Sequence, residues 1–310
     1  MKAHDVPEAR ESLMTTCLAV GRNIAKYALE DYSVPDRNGA TRLSEELAWL
    51  INALDDVALW YVSPEMTDLL AHAWQSLPPT TLTHELPLDE YGMVVFGHQL
   101  TGIAADKDDP LPLDGYVWGP ATLRRTHISP EHPSEEALSL AAFRHITAGE
   151  LVQEYGPSRR DYWGPLGHTD WLWGTDIDDL TVEPGEDSEQ RRASMIEDRR
   201  MMAAFWLLAS QANIAETTDV SLPRPVRRRV ERTGRSVPRV RLIDIRRPKH
   251  VSQGGHREVA WTHQWLVSAH WKQVAYGPGH SLRRPMLIAP YIKGPDDKPF
   301  VPKETVKVWK

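Results

Sequence analysis

Residues 258–272 read EVAWTHQWLVSAHWK, and the reading of this stretch decides the fold class. Val259, Trp261, Trp265, Val267, Ala269 and Trp271 occupy odd positions, with His263 the one polar residue among them. The even positions Thr262, Gln264, Ser268, His270 and Lys272 are polar, interrupted by Ala260 and Leu266. A period of two predicts an antiparallel strand with one buried and one solvated face. Three tryptophans on the buried side would form the core of a β-rich C-terminal region, leaving His270 and Lys272 on the side open to a ligand.

The next residues, 276–284, read YGPGHSLRR and predict a hairpin loop. A backbone freed by glycine and flanked by Arg283 and Arg284 is suited to hold a phosphate. Further strands are expected at 240–245, 286–292 and 306–309. On the N-terminal side, the composition changes sharply over 217–238, which predicts a linker. The expected organisation is an acidic, mainly helical α+β body over 1–216, a basic linker over 217–238, and a basic antiparallel β-rich region over 239–310.

Charge follows that division. The whole chain of 310 residues has a formal net charge of −7. Residues 1–219 hold 16 Lys+Arg against 37 Asp+Glu, a balance of −21, and residues 220–310 hold 20 against 6, a balance of +14. An asymmetry of this size implies a polyanion-binding part or an internal electrostatic contact. Arg227, Arg228 and Arg229 stand in a row at the densest point. Arginine's planar fork suits bidentate phosphate contacts, and the same residues could equally answer the acidic body.

In the body, apolar spacing predicts helices over 8–31 and 41–62. A third begins at Ser63-Pro64-Glu65, with a capping serine and a proline in the first turn, and ends near Pro78. Residues 91–98 and 113–123 read as strands. Residues 133–146 read as a short helix, 156–174 as an irregular tryptophan-rich segment, and 188–213 as a long helix whose acidic start suits its dipole.

Several function classes lose support. A single cysteine, Cys17, excludes an intramolecular disulfide and any zinc site with two thiolates. Its apolar neighbours make it a core residue. The longest apolar run, 201–209, is too short to span a bilayer, and no secretory signal opens the chain, so the expected location is cytoplasmic. No cofactor fingerprint is present: neither a Walker-type loop, nor a dinucleotide motif after a strand, nor a Gly-x-Ser-x-Gly elbow. His256, His263 and His270 fall seven apart, so His263 would face away from the other two on one strand, and no metal is expected there. Asp170, Asp176, Asp178 and Asp179 gather carboxylates around a turn but lack calcium-loop spacing, so a solvated turn is expected.

The blocks Trp265–Gln273, Tyr276-Gly277-Pro278-Gly279, Arg283-Arg284 and Ile288–Pro295, with Val94-Val95-Phe96, Trp118-Gly119-Pro120 and Asp170–Gly174, carry a resemblance. The chain is similar to a group of uncharacterised proteins of actinobacteria and their phages or mobile elements. The resemblance implies no activity and no catalytic residue, only a leaning towards phage or mobile-element biology.

The functional expectation is a nucleic-acid-binding protein, DNA or RNA. Arg227, Arg228, Arg229, His270, Lys272, Arg283, Arg284 and Lys293 would supply its contacts, and the acidic body would offer a surface to a protein partner. One alternative is a phosphodiester-cleaving nuclease or toxin-like enzyme with His270 as general acid or base. Another is an interaction module whose two halves neutralise each other.

Overall fold

The structure, a computed structural model, describes residues 1–30, 37–100, 112–123, 135–147, 161–180, 189–232, 236–246, 265–267, 269–288 and 291–293. Its centre is β1 (Ala58–Val62), an unbroken apolar run, ALWYV, almost wholly buried. That is the sequence expected of a parallel strand covered on both faces. β1 pairs in parallel with β2 (Gly92–Leu100) on one side and β7 (Val240–Ile245) on the other. From β2 an antiparallel meander runs through β3 (Leu113–Leu123), β4 (Glu135–Ile146) and β5 (Tyr162–Leu172), while β6 (Ala215–Asp219) closes the far edge against β7. The seven-stranded order is β5-β4-β3-β2-β1-β7-β6.

Alternate residues of each strand feed two cores. Leu59, Tyr61, Met93, Val95, Val117 and Phe143 meet α1 (Val6–Glu30) and α2 (Arg37–Asp55). Trp60, Val62, Val94, Phe96, Tyr116 and Trp118 meet α3 (Pro64–Ala73) and α4 (Glu189–Ala209) on the opposite face. The mixed helix-and-sheet class expected from the sequence therefore holds, arranged as helices on both faces of one sheet.

Ser63 follows β1 and caps α3, the helix start that the sequence predicted. Its Oγ accepts from the Met66 amide at 3.2 Å and donates to Asp244 Oδ1, 2.7 Å away on β7. The capping residue thus also ties the first helix of one face to a neighbouring strand. Ser63→Ala should lower the unfolding free energy by about 1–2 kcal/mol in chemical denaturation, through loss of the cap and of a partner for Asp244.

Five expectations change. The helix predicted over 41–62 ends at Asp55, and its last residues are β1, because a short buried apolar run has no period to separate strand from helix. Leu43, placed on its apolar stripe, is exposed. Residues 133–146 form β4, not a helix. Good helix formers such as Ala137, Leu138 and Ala141 are held extended there between β3 and β5, where seven consecutive residues are buried. The irregular segment 156–174 contains β5, an edge strand where Pro165 is tolerated.

The stretch 217–238 is not an unstructured connection: it includes the end of β6 and the helix α5 (Arg224–Glu231), with Val230 buried. β6 and β7 lie in the main sheet on either side of it, so the change in composition does not coincide with a break in the sheet. Finally, the long strand read over 258–272 is two elements. β8 (Trp265–Val267) pairs with β11 (Tyr291–Lys293), while β9 (His270–Tyr276) pairs with β10 (Leu282–Ile288) in a second small ladder. Residues 258–264 and 306–309 lie outside the described residues.

Candidate nucleic-acid interface

The hairpin of β9 and β10 is anchored on one face. Trp271 sits opposite Leu287, which is buried, and the Trp271 indole N–H donates to the Ala73 carbonyl at the end of α3, at 2.8 Å. Both side chains join the core that α3 and α4 cover. Strand alternation then turns His270, Lys272, Val274 and Tyr276 to the outer face, beside Ile288, Met286, Arg284 and Leu282. His270, Lys272 and Arg284 are exposed there, and the Arg284 guanidinium lies 5.3 Å above the Tyr276 ring. Arg283, one residue along, pairs with Ala275 on the other parity, so the two adjacent arginines do not share a face.

The connecting turn needs its glycines. Gly277 and Gly279 have φ of 75° and 62°, and His280 follows at 56°. The His280 and Ser281 amides are satisfied within the turn, by the Gly277 and Pro278 carbonyls. Those two donors are therefore not aimed outward.

Arg227, Arg228 and Arg229 lie on α5, all exposed. Val230 docks this helix beside α1, and Arg229 forms an ion pair with Glu8. Val220 and Leu222, just before it, pack on the α1/α2 core. The arginine helix and the hairpin therefore belong to opposite faces of the sheet, and the single basic footprint expected from the sequence is divided in two. Lys293 falls on β11, opposite Trp265 in the other small ladder.

Other basic residues answer acidic ones directly. Arg239 Nε donates to Asp219 at 2.8 Å, and Arg241 reaches both Asp89 oxygens at 3.1 Å while lying 4.7 Å over the Trp60 ring.

The aspartate turn is a structural clamp and not merely solvated. Asp176 accepts from the Asp178 amide at 3.1 Å, Asp178 receives the Arg200 guanidinium, and the Arg199 guanidinium donates to the Asp179 and Asp170 carbonyls. Asp170 itself accepts from the Ser139 hydroxyl. Burial lowers Arg199 to about 10, with Asp170, Asp179 and Asp178 opposing that fall. No group of three or more His, Cys, Asp or Glu able to hold a metal occurs among the described residues. His256 and His263 lie outside them. Cys17 is buried, and burial raises its thiol to about 11, which fits a packing residue.

One buried ionisable pair escaped the sequence reading. The Tyr116 hydroxyl donates to Asp198 Oδ1 at 2.6 Å between β3 and α4, with both side chains inside the core. Asp198 had no legible partner, because the two residues are 82 positions apart.

No protein-family model, no curated protein and no solved structure matches the chain. No helix among the described residues is long and apolar enough to cross a membrane.

Proposed function

We propose that the protein binds nucleic acid through the outer face of the β9–β10 hairpin. The observation that carries this reading is the sharing of one exposed face by His270, Lys272 and Arg284 with the Tyr276 ring, on a hairpin whose other face is fixed to the core. Cations spread over one face of a hairpin suit a phosphate backbone, and an adjacent aromatic ring suits an unpaired base, so single-stranded DNA or RNA is the favoured ligand. Lys293 would extend the contact, while Arg283, on the other face of the hairpin, would not share it. Arg227 and Arg228, which make no ion pair among the described residues, would serve a second stretch on the other face of the molecule. The acidic body would meet a protein partner, in a cytoplasmic setting tied to phage or mobile-element biology.

The test is fluorescence anisotropy of the full chain with labelled single-stranded DNA, single-stranded RNA and duplex across a salt series. Binding should weaken linearly on a log–log plot. The double substitution Lys272→Glu/Arg284→Glu should flatten the slope by about 1.4, from two lost phosphate contacts at about 0.7 each on a single strand. Binding that ignores salt, or that this variant leaves intact, would overturn the proposal. His270 shares this face with Lys272, two residues along β9, which also admits phosphodiester cleavage; in that case His270→Ala should abolish turnover and keep affinity. The ion pairs of Arg229, Arg239 and Arg241 with Glu8, Asp219 and Asp89 favour the self-neutralising alternative to the extent that they consume basic residues. They leave Lys272 and Arg284 untouched.

A further inference from the structure

A cavity of about 640 Å³ opens at the end of the sheet where β2 begins and β3 finishes. Its lining includes Asp89, Glu90, Tyr91, Glu136 and the pair His84 and Trp173. The last two rings are stacked, with centroids 4.0 Å apart and planes inclined by 24°. The volume falls in the range that encloses small ligands or a few residues of a peptide. No residue of the β9–β10 hairpin lines it.

Its electrostatics are one-sided. Among the described residues, neither lysine nor arginine is part of the lining. Asp89 is already matched, since it receives the Trp60 indole N–H at 2.8 Å and the Arg241 guanidinium. Glu90 and Glu136 are exposed and make no ion pair among the described residues, so their two charges are left for a ligand. Flat π surfaces with carboxylates beside them recognise a planar cation, through stacking on the ring and hydrogen bonds to the acid. The protein uses this combination once already, where Arg241 covers Trp60 and grips Asp89.

We propose that this cavity is a second binding site, independent of the nucleic-acid surface, that takes an arginine side chain of a basic peptide. Guanidinium is favoured over ammonium because it is planar, stacks on aromatic faces and donates in a fork to a carboxylate. The acidic lining also repels phosphate, so nucleic acid and basic peptide would be sorted to different parts of the surface.

The experiment is anisotropy of a labelled short peptide with a central Arg-Arg pair, titrated with the full chain, beside the same peptide carrying citrulline or lysine in place of arginine. Glu90→Gln/Glu136→Gln removes charge at exposed positions and should weaken the arginine peptide about tenfold with unchanged thermal melting. Citrulline should abolish binding and lysine should weaken it. Excess agmatine should displace the arginine peptide. Equal binding of the citrulline or lysine peptide would overturn the proposal, as would a double variant that binds like the parent chain. The Lys272→Glu/Arg284→Glu protein should bind this peptide normally, so failure of the nucleic-acid reading and failure of this one are separable.

Discussion

Trp118→Ala should lower the unfolding free energy by about 3–5 kcal/mol, the cost of emptying a fully buried large aromatic site. Trp118 is fully buried on β3, edge-on to Phe205 and Trp206 of α4 at 6.0 and 5.7 Å between centroids. Its indole N–H donates to the Asp89 carbonyl at 2.9 Å, so the ring also fastens the loop that enters β2 and forms part of the acidic cavity. Gly92, directly opposite on β2, makes room for it: a Cβ there would stand 1.9 Å from the ring. Gly92→Ala should therefore be destabilising by the reverse route, overpacking. Urea denaturation of both variants and of Trp118→Phe would separate the contributions. Phenylalanine keeps most of the packing and loses the bond to Asp89, so its cost should lie well below that of alanine. A loss under about 1 kcal/mol for Trp118→Ala would mean that α4 closes over the gap and the ring is not the keystone of this face.

The second large effect is set by pH. Burial raises the Asp198 carboxyl from 3.8 to about 7; the Tyr116 hydrogen bond opposes the rise and the nearby Glu197 charge adds to it. The partner hydroxyl is itself raised well above 10, first by burial and then by Asp198. Between about pH 4 and pH 7 the folded chain keeps a proton at Asp198 that the unfolded chain has released. Stability contributed by this site must therefore fall as pH rises through that window, by up to roughly 4 kcal/mol in all. Below pH 4 both states are protonated and the penalty vanishes. Asp198→Asn keeps an acceptor for the Tyr116 hydroxyl and cannot ionise. Its melting temperature should exceed that of the parent at pH 8, and the gap should narrow towards pH 5. Parallel melting curves across that range would show that another group titrates.

Elements with their own chemical signature were legible in the sequence. Ser63-Pro64 marked the start of α3 to the residue, because a cap and a proline in the first turn act locally. The strand 113–123 was bounded correctly by its prolines, aspartates and aromatic content, and the acidic start and apolar middle of α4 were plain. Cys17 was readable as a core residue from its neighbours. Elements whose identity comes from their neighbours were not legible. β1 is five apolar residues with no period to read, and β4 is built of alanine, leucine and glutamate that would choose a helix alone. Both are strands because strands lie on either side of them and their backbone donors and acceptors are satisfied there.

The candidate site divides in the same way. His270, Lys272 and Arg284 could be named from alternation and from the glycine turn, which depend on a few consecutive residues. The parity that sends Arg283 away from Arg284 required the register of the hairpin. The assignment of Arg227, Arg228 and Arg229 to the face opposite the hairpin required the whole sheet, and so did the cavity beside Trp173 and the Tyr116–Asp198 pair. By itself the sequence determined which segments are basic or acidic, where capped helices start, and that a tight turn joins β9 to β10. Only the tertiary structure decided which charges stand together. Side-chain alternation and capping are short-range consequences of backbone geometry, whereas co-location depends on strand order, and strand order is settled by burial of both faces of β1 among residues far away in the chain.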